Sequence, residues 1–297
     1  MTIRADDVIK VGVIQMNARP HDKEYNLAQA EEGVRRAAAS GANIVCTPEA
    51  SVQGYPRVSL PEGKSPDDSK IMAERARILA SAETIPGPAT ERFAHLAKEL
   101  SIWIVFGMDE NRGGRLFNSA VLMSPQGTIK GVYSKVHLQN WMAASGVNNG
   151  SDFPVFDVEV AGVRMKIGIA ICYDIQQPES VRELALGGAE IVFVPYCTTD
   201  FSRPLLIHLF ETRALENRVY IARANYGMPR NSGTSSIIDF EGTTLGQLGR
   251  NPGVLVHAAN LMALRRVRGE WGEVYGARYR QPRAYKRITN TDPGTAR

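Results

Sequence analysis

The chain has 297 residues, of which 43% are hydrophobic and 22% charged, and its formal net charge is +4. This balance suits a folded domain with a full core, and no apolar run approaches the ~20 residues a membrane span needs. The opening MTIRADDVIKVGVIQMN puts acids ahead of its apolar run and offers no small-residue cleavage site, so it does not read as a secretory signal. Three widely spaced cysteines argue against a disulfide framework and for a reducing, cytoplasmic setting. Neither CxxC nor HExxH occurs, so no metal site is expected. The charge is uneven: residues 265–297 hold nine Lys and Arg against three Asp and Glu. Nothing in that stretch resembles a nucleic-acid motif, and the expectation is a solvated or subunit-packing tail.

Strand-like and helix-like segments alternate along the chain. VIKVGVIQM (8–16) reads as a buried strand. NLAQAEEGVRRAAAS (26–40) has helical spacing, with Asn26 as a cap and Gly41 as its end. NIVCTP (43–48) is the next strand, PATERFAHLAKEL (88–100) a helix opened by Pro88, and SIWIVFGMDE (101–110) a strand. Residues 116–138 form a hairpin turning at Pro125-Gln126-Gly127, and 153–172 a second one around Ala161-Gly162. A helix over 178–189, a strand over 191–196, a helix over 204–218 and strand-like runs over 219–225 and 235–249 complete the pattern. The fold class is therefore α/β, with helices covering sheet faces. KVGVIQM (10–16) echoes KIGIAIC (166–172), and GANIVCTP (41–48) echoes GAEIVFVP (188–195), which suggests two similar sheets packed face to face.

Cys172 ends an apolar strand just before a helix opening at Pro178. There, backbone N–H dipoles favour a thiolate, and the Tyr173 N–H is placed to meet a developing oxyanion. The competing reading is an ordinary buried cysteine. Glu49 follows a strand directly, and Lys135 sits in the strand-like VYSKVHL. Read alone, each is a solvent-facing residue; together they supply the base and the cation that a thiol nucleophile needs. Strand ends are where α/β folds build sites.

KVGVIQMN, GANIVCTPEASVQGYP, GMDE, LFNSAVLMSPQG, YSKVHL, GIAICYDIQQPESVRELALGGAEIVFVP and RALENRVYIARAN together resemble the nitrilase, or carbon–nitrogen hydrolase, superfamily over residues 8–268. The resemblance implies a four-layer α-β-β-α sandwich and makes Glu49, Lys135 and Cys172 the catalytic residues. It implies a hydrolase of a small amide or carbamoyl substrate acting through a Cys172 thioester, with no cofactor. A nitrilase, an acyl transferase using the same thioester, and a silent binding protein are the alternatives. It also implies a homodimer or larger homo-oligomer, with residues 1–268 as the catalytic domain and 269–297 as a tail packed at a subunit interface; neither nucleic acid nor membrane is an expected partner.

The chain departs from the family pattern in two places. The loop after Lys135, QNWMAASGVNNGS, lacks the second glutamate many members carry; Asp152, Gln139 or Asn140 are possible substitutes, and Glu159 reads as strand surface. Ile175, Gln176 and Gln177 stand where carbamoyl-amino-acid hydrolases place arginines, which disfavours that substrate; Arg203 and Arg230 are alternative anion holders, with a surface role as the default reading of each. The candidate pocket residues are Tyr55, Trp141, Cys197 and Thr198. His137 would shape the surroundings of Lys135, and Cys46 would be a buried spacer.

Overall fold

The computed structural model describes residues 7–56, 69–198, 206–229, 231–270, 280–286 and 288. Twelve strands form two six-stranded sheets. The first orders β12-β1-β2-β3-β4-β5, with β1 Val8–Gln15, β2 Ile44–Cys46, β3 Trp103–Arg112, β4 Arg115–Met123, β5 Ile129–Ser134 and β12 Gly253–Asn260. The second orders β11-β10-β9-β8-β7-β6, with β6 Val155–Val160, β7 Val163–Ile169, β8 Ile191–Pro195, β9 Tyr220–Ala224, β10 Ser236–Ile238 and β11 Thr244–Gln247. The two sheets share one pattern of directions. An antiparallel edge strand (β12 or β6) leads to three parallel strands (β1-β2-β3 or β7-β8-β9) and then to two antiparallel ones. In this correspondence β1 matches β7 and β2 matches β8, the same pairs that echo in sequence.

The inner faces meet in one apolar core that joins Val11, Val13, Ile44 and Val105 of the first sheet to Ile167, Ile169, Phe193 and Ala222 of the second. Helices α1 Lys23–Ala39 and α3 Pro88–Leu100 cover the first sheet. The second is covered by α5 Pro178–Leu186 and α6 Leu206–Asn217. The result is the expected four-layer α-β-β-α sandwich, with α2 Ser69–Ser81, α4 Asn140–Ala144 and α7 Leu261–Glu270 as additions.

Helix α3 shows why the local reading succeeds. Pro88 suits its first turn, Gly87 N–H donates to Thr90 Oγ1 at 2.7 Å, and Phe93, Leu96 and Ala97 share the buried face. Phe93 stacks on Phe106 of β3 with ring centroids 4.0 Å apart. Burying each such side chain stabilises by about 1.5–3 kcal/mol. Helix α1 corrects the reading of Asn26: the helix starts earlier, Asp22 caps it through Tyr25 N–H, and Asn26 lies inside. The buried Asn26 side chain instead exchanges hydrogen bonds with the Arg19 backbone and donates to Val52 O, tying the chain before α1 to the loop after β2.

Helix α7 runs through residue 268, where the sequence puts the end of the main domain. Two arginines counted with the basic tail are structural. Arg265 pairs with Glu190 and Asp7, and Arg268 donates to the backbone carbonyls of Arg218 and Ala189. Most of 269–297 lies outside the described residues, as do Arg203 and Arg230. Among the described residues, no helix is long and apolar enough to cross a membrane.

Candidate active site

Three strand ends and the turns that follow them build the site. The chain leaving β2 bends back at Glu49-Ala50, and Ala50 takes a left-handed φ of 47°. This turn rests on the backbone of Gly107 in β3. Gly107 O accepts from Ser51 Oγ at 3.0 Å and from Val52 N at 3.3 Å. A Cβ at Gly107 would lie 2.7 Å from both Ala50 N and Pro48 O, which are backbone atoms that cannot swing aside. Gly107→Ala should therefore displace Glu49 and cost about 10²-fold in turnover, as an ångström-scale misplacement does. Steady-state kinetics alongside a melting curve test this; a folded, fully active variant would contradict it.

Glu49 is completely buried. Its Oε1 accepts from Lys135 Nζ at 2.5 Å and from Asn118 Nδ2 at 2.9 Å, while Oε2 accepts no hydrogen bond among the described residues. Its backbone is held too, with Tyr226 Oη donating to Glu49 O at 2.7 Å. Lys135 follows β5 and is also completely buried; its N–H donates to Asn118 O and its carbonyl accepts from Gly150 N, both at 2.8 Å. Asn118 of β4 thus fixes both partners of the ion pair.

Cys172 opens a 3-10 turn, Cys172–Gln176, immediately after β7, with a left-handed φ of 46°. A non-glycine residue held in that region marks a turn its surroundings over-determine. Asp174 supplies the restraint. Its Oδ2 accepts from Ile171 N at 2.9 Å and from Tyr133 Oη at 2.6 Å. Its Oδ1 accepts from His137 N at 2.8 Å and lies 3.0 Å from His137 Nδ1. One buried carboxylate therefore locks the cysteine turn to the segment carrying Lys135. His137 belongs to this clamp. Ser180 Oγ and Asp174 both approach the same ring nitrogen, Nδ1, so Ser180, His137 and Asp174 do not form a proton relay.

The electrostatics define the resting state. Burial raises the Glu49 carboxyl pKa, against the opposing pull of Lys135, the Cys172 thiol and Asn118. Burial alone would lower the Lys135 pKa, but Glu49, Cys172 and Asp174 more than offset it, so the ammonium is held. Burial and the Glu49 charge push the Cys172 thiol well up, with Lys135 opposing. Burial and Glu49 thus work against the backbone dipoles of the turn, which favour a thiolate. The sulfur rests as a thiol, donating to Cys197 O at 3.4 Å, and needs a base.

The remaining candidates are placed as follows. Tyr55, buried beyond the Glu49 turn, meets Trp141 edge-on with centroids 5.7 Å apart, and both donate to Gln139 Oε1. Cys197 Sγ accepts from Asn231 Nδ2 at 3.0 Å, and Thr198 N donates to Asn225 Oδ1 at 3.2 Å. Tyr173 is 37% exposed, and its amide stands in the first turn of the 3-10 segment, ahead of any intrahelical acceptor. Asp152, Asn140 and Glu159 are exposed, and Cys46 is a buried strand residue. The sequence reading did not assign roles to Asn118 or Asp174. The signal for Asn118 is a polar residue inside the otherwise apolar strand LFNSAVLM, and for Asp174 an acid two positions after the cysteine.

A family model described as "Carbon-nitrogen hydrolase" matches residues 10–268. The chain belongs to the carbon–nitrogen hydrolase family. Among curated relatives it is 32% identical to a nitrilase of Pyrococcus abyssi over 73% of this chain and 75% of that one. It is 26% identical to an omega-amidase of Homo sapiens over 83% and 87%. Among solved structures it matches a glutamate-to-glutamine variant of the amidase from Nesterenkonia sp. AN1, with a TM-score of 0.70, 27% identity, and coverage of 89% of this chain and 98% of that one. That structure shows the result of Michael addition of acrylamide at the amidase's active-site cysteine. The chain is thus an enzyme of the carbon–nitrogen hydrolase class, and its two-sheet fold is that of nitrilase-superfamily amidases.

Proposed function

We propose that the protein hydrolyses the C–N bond of a small amide or carbamoyl compound through a thioester on Cys172. One observation carries this reading. Glu49 has one oxygen held by Lys135 and Asn118 and the other unpartnered, in the same buried centre as a protonated thiol. That is the arrangement of a base waiting for a proton.

The proposed reaction has two halves. Glu49 Oε2 takes the thiol proton as Cys172 Sγ bonds to the substrate carbonyl carbon. The carbonyl electron pair moves to oxygen, and the Lys135 ammonium and the Tyr173 N–H stabilise the resulting oxyanion. Glu49 returns its proton to nitrogen, the C–N bond breaks, and ammonia or an amine leaves. A water that loses its proton to Glu49 then attacks the thioester carbon; the C–S bond breaks as Glu49 returns that proton to sulfur, which restores the Cys172 thiol and releases the acid. Tyr55, Trp141, Cys197 and Thr198 serve as pocket walls, and the Tyr55–Trp141 pair favours an apolar or aromatic substrate group. The named amidase and omega-amidase relatives support an amide.

An ammonia-release screen over primary amides, ureido compounds and nitriles tests the reading. Ammonia and acid from an amide or ureido compound are expected. Turnover of nitriles alone, giving acid with no free amide, would replace this reading with a nitrilase, the activity named for the archaeal relative.

A further inference from the structure

Besides Glu49 and Asp174, the centre contains a third buried carboxyl, which the mechanism above does not use. Asp109 of β3 stands directly opposite Asn118 of β4 in the antiparallel register, so both side chains leave the same face of the sheet. Asp109 is 6% exposed and Asn118 1%. The Asp109 backbone is clamped: Gln53 accepts its N–H at 2.8 Å, and its carbonyl accepts from Gln53 Nε2 at 3.3 Å and from Glu83 N at 3.2 Å. The side chains are less well satisfied. Asp109 Oδ2 and Asn118 Oδ1 are both buried acceptors without a donor, on facing residues. Asn118 Oδ1 cannot find one by rotating its amide, because its Nδ2 is committed to Glu49 Oε1 at 2.9 Å. Two facing orphan acceptors are resolved by a single hydrogen between them.

We propose that Asp109 is a positioning residue that works as a neutral acid, donating from Oδ2–H to Asn118 Oδ1 and so holding the Asn118 amide on Glu49. The proposed hydrogen bond would extend the Asn118–Glu49 contact back to Asp109. The electrostatics agree: burial, and then the Glu49 charge, push the Asp109 carboxyl up to about 7, with Lys135 opposing. Several charged groups on the adjoining elements are paired among the described residues, and Arg115 of β4 donates to Asn148 Oδ1. Lys23 of α1 bonds Glu83, Glu74 of α2 bonds His21 and Arg77, and Glu110 of β3 bonds Arg112. Loss of the Asp109 proton removes the donor to Asn118 and adds a second negative charge beside Glu49. Thiol activation therefore weakens as pH rises through about 7.

The inference rests on Glu49 being the base for Cys172, and its test needs no substrate. The rate of Cys172 alkylation by iodoacetamide is followed by mass spectrometry of the intact chain and its peptides, which separates Cys172 from Cys46 and Cys197. Asp109→Asn keeps a donor toward Asn118 Oδ1 but cannot ionise. Its rate should match the parent at pH 6, and the variant-to-parent ratio should climb several-fold through about pH 7. Asp109→Ala, lacking the donor, should be about 10-fold slower or more at pH 6. Thermal melting gives a second readout. The folded carboxyl titrates above its unfolded value, so the stability it contributes is complete below about pH 4 and is lost as pH rises through about 7. The parent's Tm should fall across that window relative to Asp109→Asn. A variant-to-parent ratio that stays flat with pH, a folded but unreactive Asp109→Asn, or an Asp109→Ala as reactive as the parent would overturn the proposal. A Glu49→Gln protein that alkylates as fast as the parent would instead refute the underlying role of Glu49.

Discussion

Replacing Cys172 by alanine should lower turnover by on the order of 10⁴-fold or more while leaving the fold intact. The effect is large because members of a nucleophile–base unit act together, and removing the nucleophile removes the covalent route entirely. Nothing nearby takes over. The Cys197 sulfur already accepts a hydrogen bond from Asn231 Nδ2 at 3.0 Å. The stability cost should be small, since the Cys172 sulfur is held by weak hydrogen bonding, such as that to Cys197 O at 3.4 Å. Alanine also accepts the strained turn no worse than cysteine does, because the left-handed φ of 46° is imposed by Asp174 through Ile171 and the Tyr133 hydroxyl. Steady-state rates on the best substrate, read with circular dichroism and a melting curve, separate lost chemistry from lost fold.

Lys135→Ala should cost on the order of 10²–10³-fold in turnover, the scale of losing an oxyanion donor. Unlike the cysteine variant, it should also be destabilised. Lys135 and Glu49 are both fully buried and 2.5 Å apart, and removing one partner leaves the other charge unpaired, which costs about 3–5 kcal/mol. The remaining Glu49 then has burial acting on it with only the thiol and Asn118 to oppose it, so its pKa rises further. A carboxyl that stays protonated cannot take the thiol proton. Two losses thus come from one substitution, and they differ in pH dependence. The missing cation lowers the rate at every pH, whereas the protonated base recovers part of it as pH rises. Lys135→Ala should therefore gain activity on the alkaline side relative to its own value at pH 7. A folded variant with unchanged rate and Tm would contradict both arguments.

Most of the fold was legible in the chain because most of its elements are local. Helix α3 is read residue for residue from Pro88 and a clean apolar face. The paired echoes KVGVIQM/KIGIAIC and GANIVCTP/GAEIVFVP correspond to β1/β7 and β2/β8, which hold equivalent places in two sheets of the same pattern. What escaped was set by distance along the chain. Strand β12 pairs with β1 across almost the whole sequence, Val8 facing Asn260, and no local pattern announces such a partner. Asn26 looked like a cap because asparagine commonly is one; its side chain is instead taken by Arg19 and Val52. The site divides the same way. Glu49, Lys135 and Cys172 stand in ordered motifs at strand ends. Asn118 and Asp174 act through contacts to residues 69 and 37–41 positions away, which a single sequence does not display. The local helix end argues for a thiolate, but burial and Glu49, both tertiary effects, outweigh it.

In the proposed reaction Cys172 carries the acyl group between the two halves. Intact-mass measurement during turnover of a slow amide or ester analogue tests it most directly. An added mass equal to the acyl fragment is expected, mapped to the peptide containing Cys172, removed by hydroxylamine and absent from Cys172→Ala. An acyl group on any other residue, or a Cys172→Ala protein that turns over at the parental rate, would contradict it.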